Sequence, residues 1–131
     1  MDKPRILIVD DETEVRQSLN KFMARNIECE IAEASDGRKA LEALEEGAFD
    51  LILLDIKMPG ISGLDVLKKA RLMHPSMDIL VISAWDSQPI AEEVLQDGAV
   101  DYITKPSTIN VIYAKVCEIL KKRNKLLSKN N

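Results

Sequence analysis

Leu51-Ile52-Leu53-Leu54-Asp55-Ile56-Lys57-Met58-Pro59-Gly60 joins an apolar run, an acid and a turn within ten residues. Four apolar residues run straight into an aspartate, and a Pro-Gly breaker follows four residues later. An apolar run that short, bounded by turn signals, reads as a strand buried on both faces, as in a parallel sheet covered by helices. Open sheets of that kind place their ligands at the carboxyl ends of the strands. Asp55 lies at such an end. It either solvates the strand terminus or belongs to a site, and the residues around it decide which.

Short apolar runs and amphipathic segments alternate in both directions from this stretch. Strands are expected at Arg5–Val9, Glu28–Ala34, Asp50–Asp55, Asp78–Ser83 and Val100–Thr104. The second is the most polar, which suits a sheet edge. Between the strands, apolar residues recur at helical spacing. Val15, Leu19, Phe22 and Met23 mark a helix from about Glu12 to Arg25. Ala40, Leu41 and Leu44 mark a second, capped by Ser35 or Asp36 and ended by Gly47. Leu64, Val66, Leu67 and Ala70 belong to a third, from Ser62 to about Met73. Ile90, Val94 and Leu95 form the core face of a fourth, capped by Asp86 or Ser87 and ended by Gly98. A fifth starts near Ser107 or Thr108 and carries Ile109, Ile112, Val116, Ile119 and Leu120. Parallel strands need crossover connections, and those are right-handed. The expected fold is α/β, a doubly wound parallel five-stranded sheet with helices on both faces.

A chain of 131 residues is one domain, large enough to bury roughly two-thirds of its unfolded surface. It needs neither a disulfide nor a metal to hold its core. A net charge of −4 gives no reason to expect direct binding of nucleic acid. The basic cluster Lys121-Lys122-Arg123, with Lys125 and Lys129, reads as a solvated helix end, where the helix dipole favours cations. Cys29 and Cys117 match no metal-ligand spacing and are expected to be reduced, buried thiols. Neither a signal-peptide core nor an apolar run approaching ~20 residues occurs. A cytoplasmic location without membrane association is therefore expected.

In a parallel sheet all carboxyl ends point the same way. Here they present Asp10-Asp11, Asp55, Ser83 and Lys105. Three carboxylates at one edge repel and raise one another's pKa values, and Lys105 offsets one charge only. A divalent cation with hard oxygen ligands would supply the balance, which suits Mg²⁺ or Mn²⁺. A metal, an ammonium and a hydroxyl around a carboxylate are the parts needed for phosphoryl transfer to that carboxylate. Asp55, on the most apolar strand and midway between the acidic pair and Lys105, is the expected nucleophile.

The segments Ile8-Val9-Asp10-Asp11, Leu54-Asp55-Ile56-Lys57-Met58-Pro59-Gly60, Ile82-Ser83-Ala84 and Asp101-Tyr102-Ile103-Thr104-Lys105-Pro106 together strongly resemble the response-regulator receiver domain. That is the phosphoacceptor module of two-component signalling, typified by the chemotaxis response regulator. The resemblance covers about residues 4–123. It implies a flavodoxin-like (βα)₅ fold with strand order 2-1-3-4-5. Residues 1–127 would form the receiver, with residues 128–131 a disordered tail. Asp55 would accept a phosphoryl group from a sensor histidine kinase or phosphotransfer protein. Asp11, Asp55 and the backbone carbonyl of Lys57 would ligate Mg²⁺, with Asp10 acting mainly through water. Lys105 would pair with Asp55 and then with its phosphate. Ser83 would move to bond the phosphoryl group while Tyr102 swings inward. Lys105-Pro106 would be a cis peptide. The fourth helix, fifth strand and fifth helix would form the output face towards a downstream effector or output domain, and the resemblance admits a phosphorylation-driven homodimer. Trp85 is bulkier than most occupants of its position and is expected to shield the site's mouth from water.

Three other readings fit these residues less well. A Mg²⁺-dependent phosphohydrolase of the haloacid-dehalogenase kind places a second acid two residues after its nucleophile, where this chain has Lys57. A flavodoxin needs a Ser/Thr/Gly-rich phosphate loop after the first strand, where this chain has Asp10-Asp11-Glu12. A degenerate receiver, binding partners without phosphorylation, is disfavoured because every acidic, hydroxyl and lysine position is retained. The expected role is a phosphoacceptor switch rather than an enzyme acting on a separate substrate.

Overall fold

The computed structural model describes residues 3–85, 87–127 and 129. Five strands alternate with five helices: β1 (Arg5–Val9), α1 (Thr13–Asn26), β2 (Glu30–Ala34), α2 (Gly37–Glu46), β3 (Leu51–Leu54), α3 (Gly63–Met73), β4 (Asp78–Ser83), α4 (Gln88–Gln96), β5 (Asp101–Thr104) and α5 (Ile109–Lys122). The strands form one parallel sheet in the order β2-β1-β3-β4-β5. β2 is an edge strand, as its polarity suggests, and β3 is central with all four residues buried.

The pleat sorts the strand side chains onto two faces. Leu7, Val9, Ile52, Leu54, Ile79 and Val81 pack with Ala40 and Leu44 of α2, Val66, Leu67 and Ala70 of α3 and Val94 of α4. Ile6, Ile8, Leu51, Leu53, Leu80 and Ile82 pack with Leu19 and Met23 of α1 and with Ile112, Val116, Ile119 and Leu120 of α5. Four of the five helix starts have a local reason. Asp36, Ser62, Ser87 and Thr108 cap α2, α3, α4 and α5 by accepting from the amides of Lys39, Leu64, Ile90 and Val111. α1 is different, because no side chain caps it.

Several local expectations are corrected. β2 begins at Glu30 rather than Glu28, because the Glu28 amide bonds to the Leu127 carbonyl instead of to a strand. Leu95 is 46% exposed and does not belong to the core face of α4, of which only Val94 is buried among the described residues. Gly47 ends α2 in extended backbone, without the left-handed turn of a glycine cap. Cys29 and Cys117 are free thiols but only half-buried. The C-terminal basic cluster is not simply a solvated helix end. Arg123 bonds to Asp50 at 3.3 Å and Asp78 at 3.1 Å, and Lys125 reaches Asp50 at 3.0 Å. These pairs clamp the end of α5 to the amino edge of the sheet. Lys129 continues past this clamp, its amide donating to the Asn26 carbonyl. The rest of the expected tail, like the alternative cap Asp86, lies outside the described residues.

Candidate functional site

β1 and β3 deliver Asp10 and Asp55 to the carboxyl edge, tied together where the Asp55 amide donates to the Val9 carbonyl at 3.0 Å. Asp10 is 3% exposed and Asp55 is 5% exposed, whereas the neighbouring Asp11 is open to solvent. One carboxylate oxygen from each of the three lies within 4.8 Å of the others. The loop after β5 brings Lys105, whose ammonium donates to Asp10 Oδ2 at 2.7 Å and Asp55 Oδ2 at 3.1 Å. The Lys105–Pro106 peptide is cis.

The remaining carboxylate oxygens are held by local backbone. The Glu12 amide donates to Asp10 Oδ1 and the Lys57 amide to Asp55 Oδ1, both at 2.9 Å. The loop after β3 is shaped by two glycines. Gly60 takes φ of +86°, and Gly63 opens α3 so close to the preceding loop that a Cβ would lie 2.1 Å from Ile56 Cα.

Burial sets the electrostatics. It pushes the Asp55 carboxyl above its ordinary range, outweighing the Lys57 amide and the Lys105 ammonium, and the Asp10 charge adds to the rise. Burial works the other way on Lys105, but its bonds and charge pairing with Asp10 and Asp55 hold its pKa above the usual value. Two buried carboxylates and an exposed third meet a single ammonium, which can offset only one of their charges.

The pleat separates the expected site residues into two groups. Asp10 and Asp55 continue the face of Ile8 and Leu53, and with Lys105 they line a cavity of about 430 Å³ walled by Val15 and Leu19 of α1, Ile82 of β4 and Ile112 of α5. Ser83 continues the face of Val81. Its hydroxyl is fully buried, accepts from the Trp85 amide at 3.3 Å, and does not line that cavity. Tyr102, level with Val81 across the β4–β5 ladder, packs half-buried on the same side, with Trp85 and Ile90. Trp85 therefore rests on the α2–α3–α4 core, and it is Ala84 that lines the acidic cavity.

Sequence reasoning missed one close neighbour. Arg16 of α1 donates from Nη1 to the Asp10 carbonyl at 2.8 Å and from Nε to Glu33 of β2 at 2.7 Å.

A family model for the response regulator receiver domain matches residues 6–117 of the chain. The chain belongs to this family. Its receiver fold aligns with a CheY-like response regulator receiver domain protein from Methanospirillum hungatei at a TM-score of 0.88 and 31% identity, covering 95% of this chain and 98% of that one. Among curated proteins, it is 37% identical over 120 residues to the transcriptional regulatory protein PrrA of Mycobacterium tuberculosis, covering 92% of this chain and 51% of that protein. It is 30% identical over 118 residues to a cyclic di-GMP phosphodiesterase of Thermotoga maritima, covering 90% and 31%. The receiver spans only about a quarter to a half of the curated relatives it matches. No helix among the described residues is long and apolar enough to cross a membrane.

Proposed function

We propose that this receiver accepts a phosphoryl group on Asp55 from the phosphohistidine of a sensor histidine kinase or phosphotransfer protein, in a Mg²⁺-dependent reaction. The observation that carries the reading is the meeting of two buried carboxylates, one exposed carboxylate and a single ammonium. That donor set fits a hard divalent cation, which takes one or two carboxylates and keeps several waters. Asp11, Asp55 and the Lys57 carbonyl would hold it, with Asp10 acting through water. When bound, the cation would neutralise charge on the phosphoryl oxygens.

The chain's own residues supply the rest. The Lys57 amide fixes one oxygen of Asp55, leaving the other to attack in line. Lys105 holds that second oxygen in the resting site, and its ammonium follows the charge onto the phosphoryl group once the acyl phosphate forms. The acyl phosphate carries about two negative charges where the ionised carboxylate carried one, and it holds them in a largely apolar cavity. That charge recruits the Ser83 hydroxyl, which must leave the Trp85 amide, and the space it vacates lies on the face where Tyr102 packs. Of the α4–β5–α5 face, α4 is held by one buried side chain, Val94, so this helix can answer such a movement with little loss of core contact, whereas α5 is anchored by Ile112, Val116, Ile119 and Leu120. That face is the proposed output surface towards an effector or output domain, and a phosphorylation-driven homodimer would form there.

The chain acts in this reading as a switch taking part in its own phosphorylation and dephosphorylation, in the cytoplasm. Incubation with a small acyl-phosphate donor tests it. Phosphoryl label on the protein that requires Mg²⁺ and disappears with chelator is expected; labelling indifferent to metal would contradict the proposal.

A further inference from the structure

Asp10 has no free group. One carboxylate oxygen accepts from the Glu12 amide, the other from Lys105, and its own amide donates to the Ala34 carbonyl at 3.2 Å. Its carbonyl accepts from Arg16. The same rigid peptide plane that carries this carbonyl carries the Asp11 amide, so a bond to Asp10 O sets where Asp11 leaves the strand. Asp11 is the exposed carboxylate of the three, and α1 lacks a side-chain cap that would order this loop from the helix side.

Arg16 is itself braced. Its Nε bonds to Glu33 Oε1, and Glu33 Oε2 accepts from Asn20 Nδ2 at 2.6 Å. Arg16 and Asn20 are four apart on α1, and Glu33 sits on β2 level with Ile8 of β1. Only 12% of the Arg16 side chain is exposed. A bare cation this close to the three acids would compete with a divalent ion, but paired with Glu33 it is nearly neutral at a distance. Its contribution is therefore geometric. The guanidinium fork spans a carboxylate on one side and a carbonyl on the other, which a lysine ammonium on its flexible stem does not reproduce.

We propose that Arg16, held by Glu33 and Asn20, is a positioning residue that sets the Asp10–Asp11 peptide and thereby the metal affinity of the acidic site. The inference rests on the metal reading of that site. Outer contacts that orient ligands are typically worth about 10- to 100-fold in metal affinity. Arg16→Lys keeps the charge and can keep the Glu33 pair, so it should bind Mg²⁺ about tenfold more weakly, followed by the amide resonances of Asp11 and Glu12. In metal-free protein its Glu12 amide should exchange with solvent faster than in the wild type. Both changes should persist at about 1 M salt, where charge effects are screened within roughly 3 Å. Glu33→Gln, which leaves the carbonyl contact but loosens its brace, should show smaller changes of the same sign.

Wild-type affinity and wild-type Glu12 exchange in Arg16→Lys would overturn the proposal, as would an affinity loss that vanishes at high salt. If Arg16→Lys does not fold, Glu33→Gln decides by the same two readouts. A wild-type chain that fails to bind Mg²⁺ would overturn the metal reading instead, and the exchange of Glu12 in the metal-free protein would still decide whether Arg16 positions the loop.

Discussion

Lys105 gives its shorter bond, 2.7 Å, to Asp10 and its longer one, 3.1 Å, to Asp55. The residue expected to pair with the nucleophile is thus shared between two buried acids. In the resting site it cancels their mutual repulsion as much as it orients either one.

Removing that ammonium should therefore be costly to the fold as well as to the chemistry. Lys105→Met leaves two buried carboxylates facing each other, and breaking one partner of a buried pair costs about 3–5 kcal/mol. The lower end is expected here because the cavity reaches solvent. Urea unfolding should show this loss in chelator and a partial recovery with Mg²⁺. Equal stability of variant and wild type in chelator would contradict the shared-counterion role.

The amino edge of the sheet makes a separate prediction about acid. Burial pushes the Asp50 carboxyl up, but the Arg5 amide, Lys125 and Arg123 outweigh it and hold its pKa below the ordinary range. A carboxyl depressed in the folded state contributes stability that is fully present above its unfolded value of ~3.9. That contribution fades as pH falls through the folded value. Asp50→Asn should therefore be clearly less stable than the wild type at neutral pH, with the difference shrinking as the pH is taken below ~3.9. Denaturant midpoints across that range check it, and a pH-independent difference would point to packing rather than charge.

Gly60 of the loop after β3 and Gly63 at the start of α3 should behave differently. An added Cβ at Gly63 meets backbone atoms of Ile56 at 2.1 to 2.7 Å, and backbone cannot step aside. Gly63→Ala should cost about 3 kcal/mol, the upper end of overpacking effects, and disturb the loop that carries Lys57. Gly60 has open space around it, so Gly60→Ala should cost only the left-handed φ, about 1–2 kcal/mol. Thermal unfolding of the two variants gives the comparison.

The β–α alternation was plain in the sequence because buried parallel strands such as Leu51–Leu54 are continuously apolar, while α2 and α5 carry their core residues at helical spacing. The convergence of Asp10, Asp11, Asp55 and Lys105 followed from strand direction alone. What the strand ends did not reveal was the side of the sheet each residue takes. The period of two was available to separate Ser83 and Tyr102 from Asp10, Asp55 and Lys105, but it needs strand termini known to one residue. Leu95 fell on the expected stripe of α4 yet faces solvent, because a nine-residue helix with one buried side chain leaves its rotation weakly marked by pattern. Arg16 carried no local signal: its role depends on β2 lying beside β1, which places Glu33 within reach. The Arg123–Asp50–Asp78 clamp was hidden for the same reason, since it joins residues from three distant segments.

The most direct measurement is to locate the phosphoryl group. Wild-type protein treated with a small acyl-phosphate donor and Mg²⁺ should gain the mass of one phosphoryl group, on the peptide containing Asp55. Asp55→Asn should gain none, and Asp10→Asn should gain it more slowly at the same position. Wild-type labelling that persists in Asp55→Asn, or that maps to Asp10 or Asp11, would contradict the account.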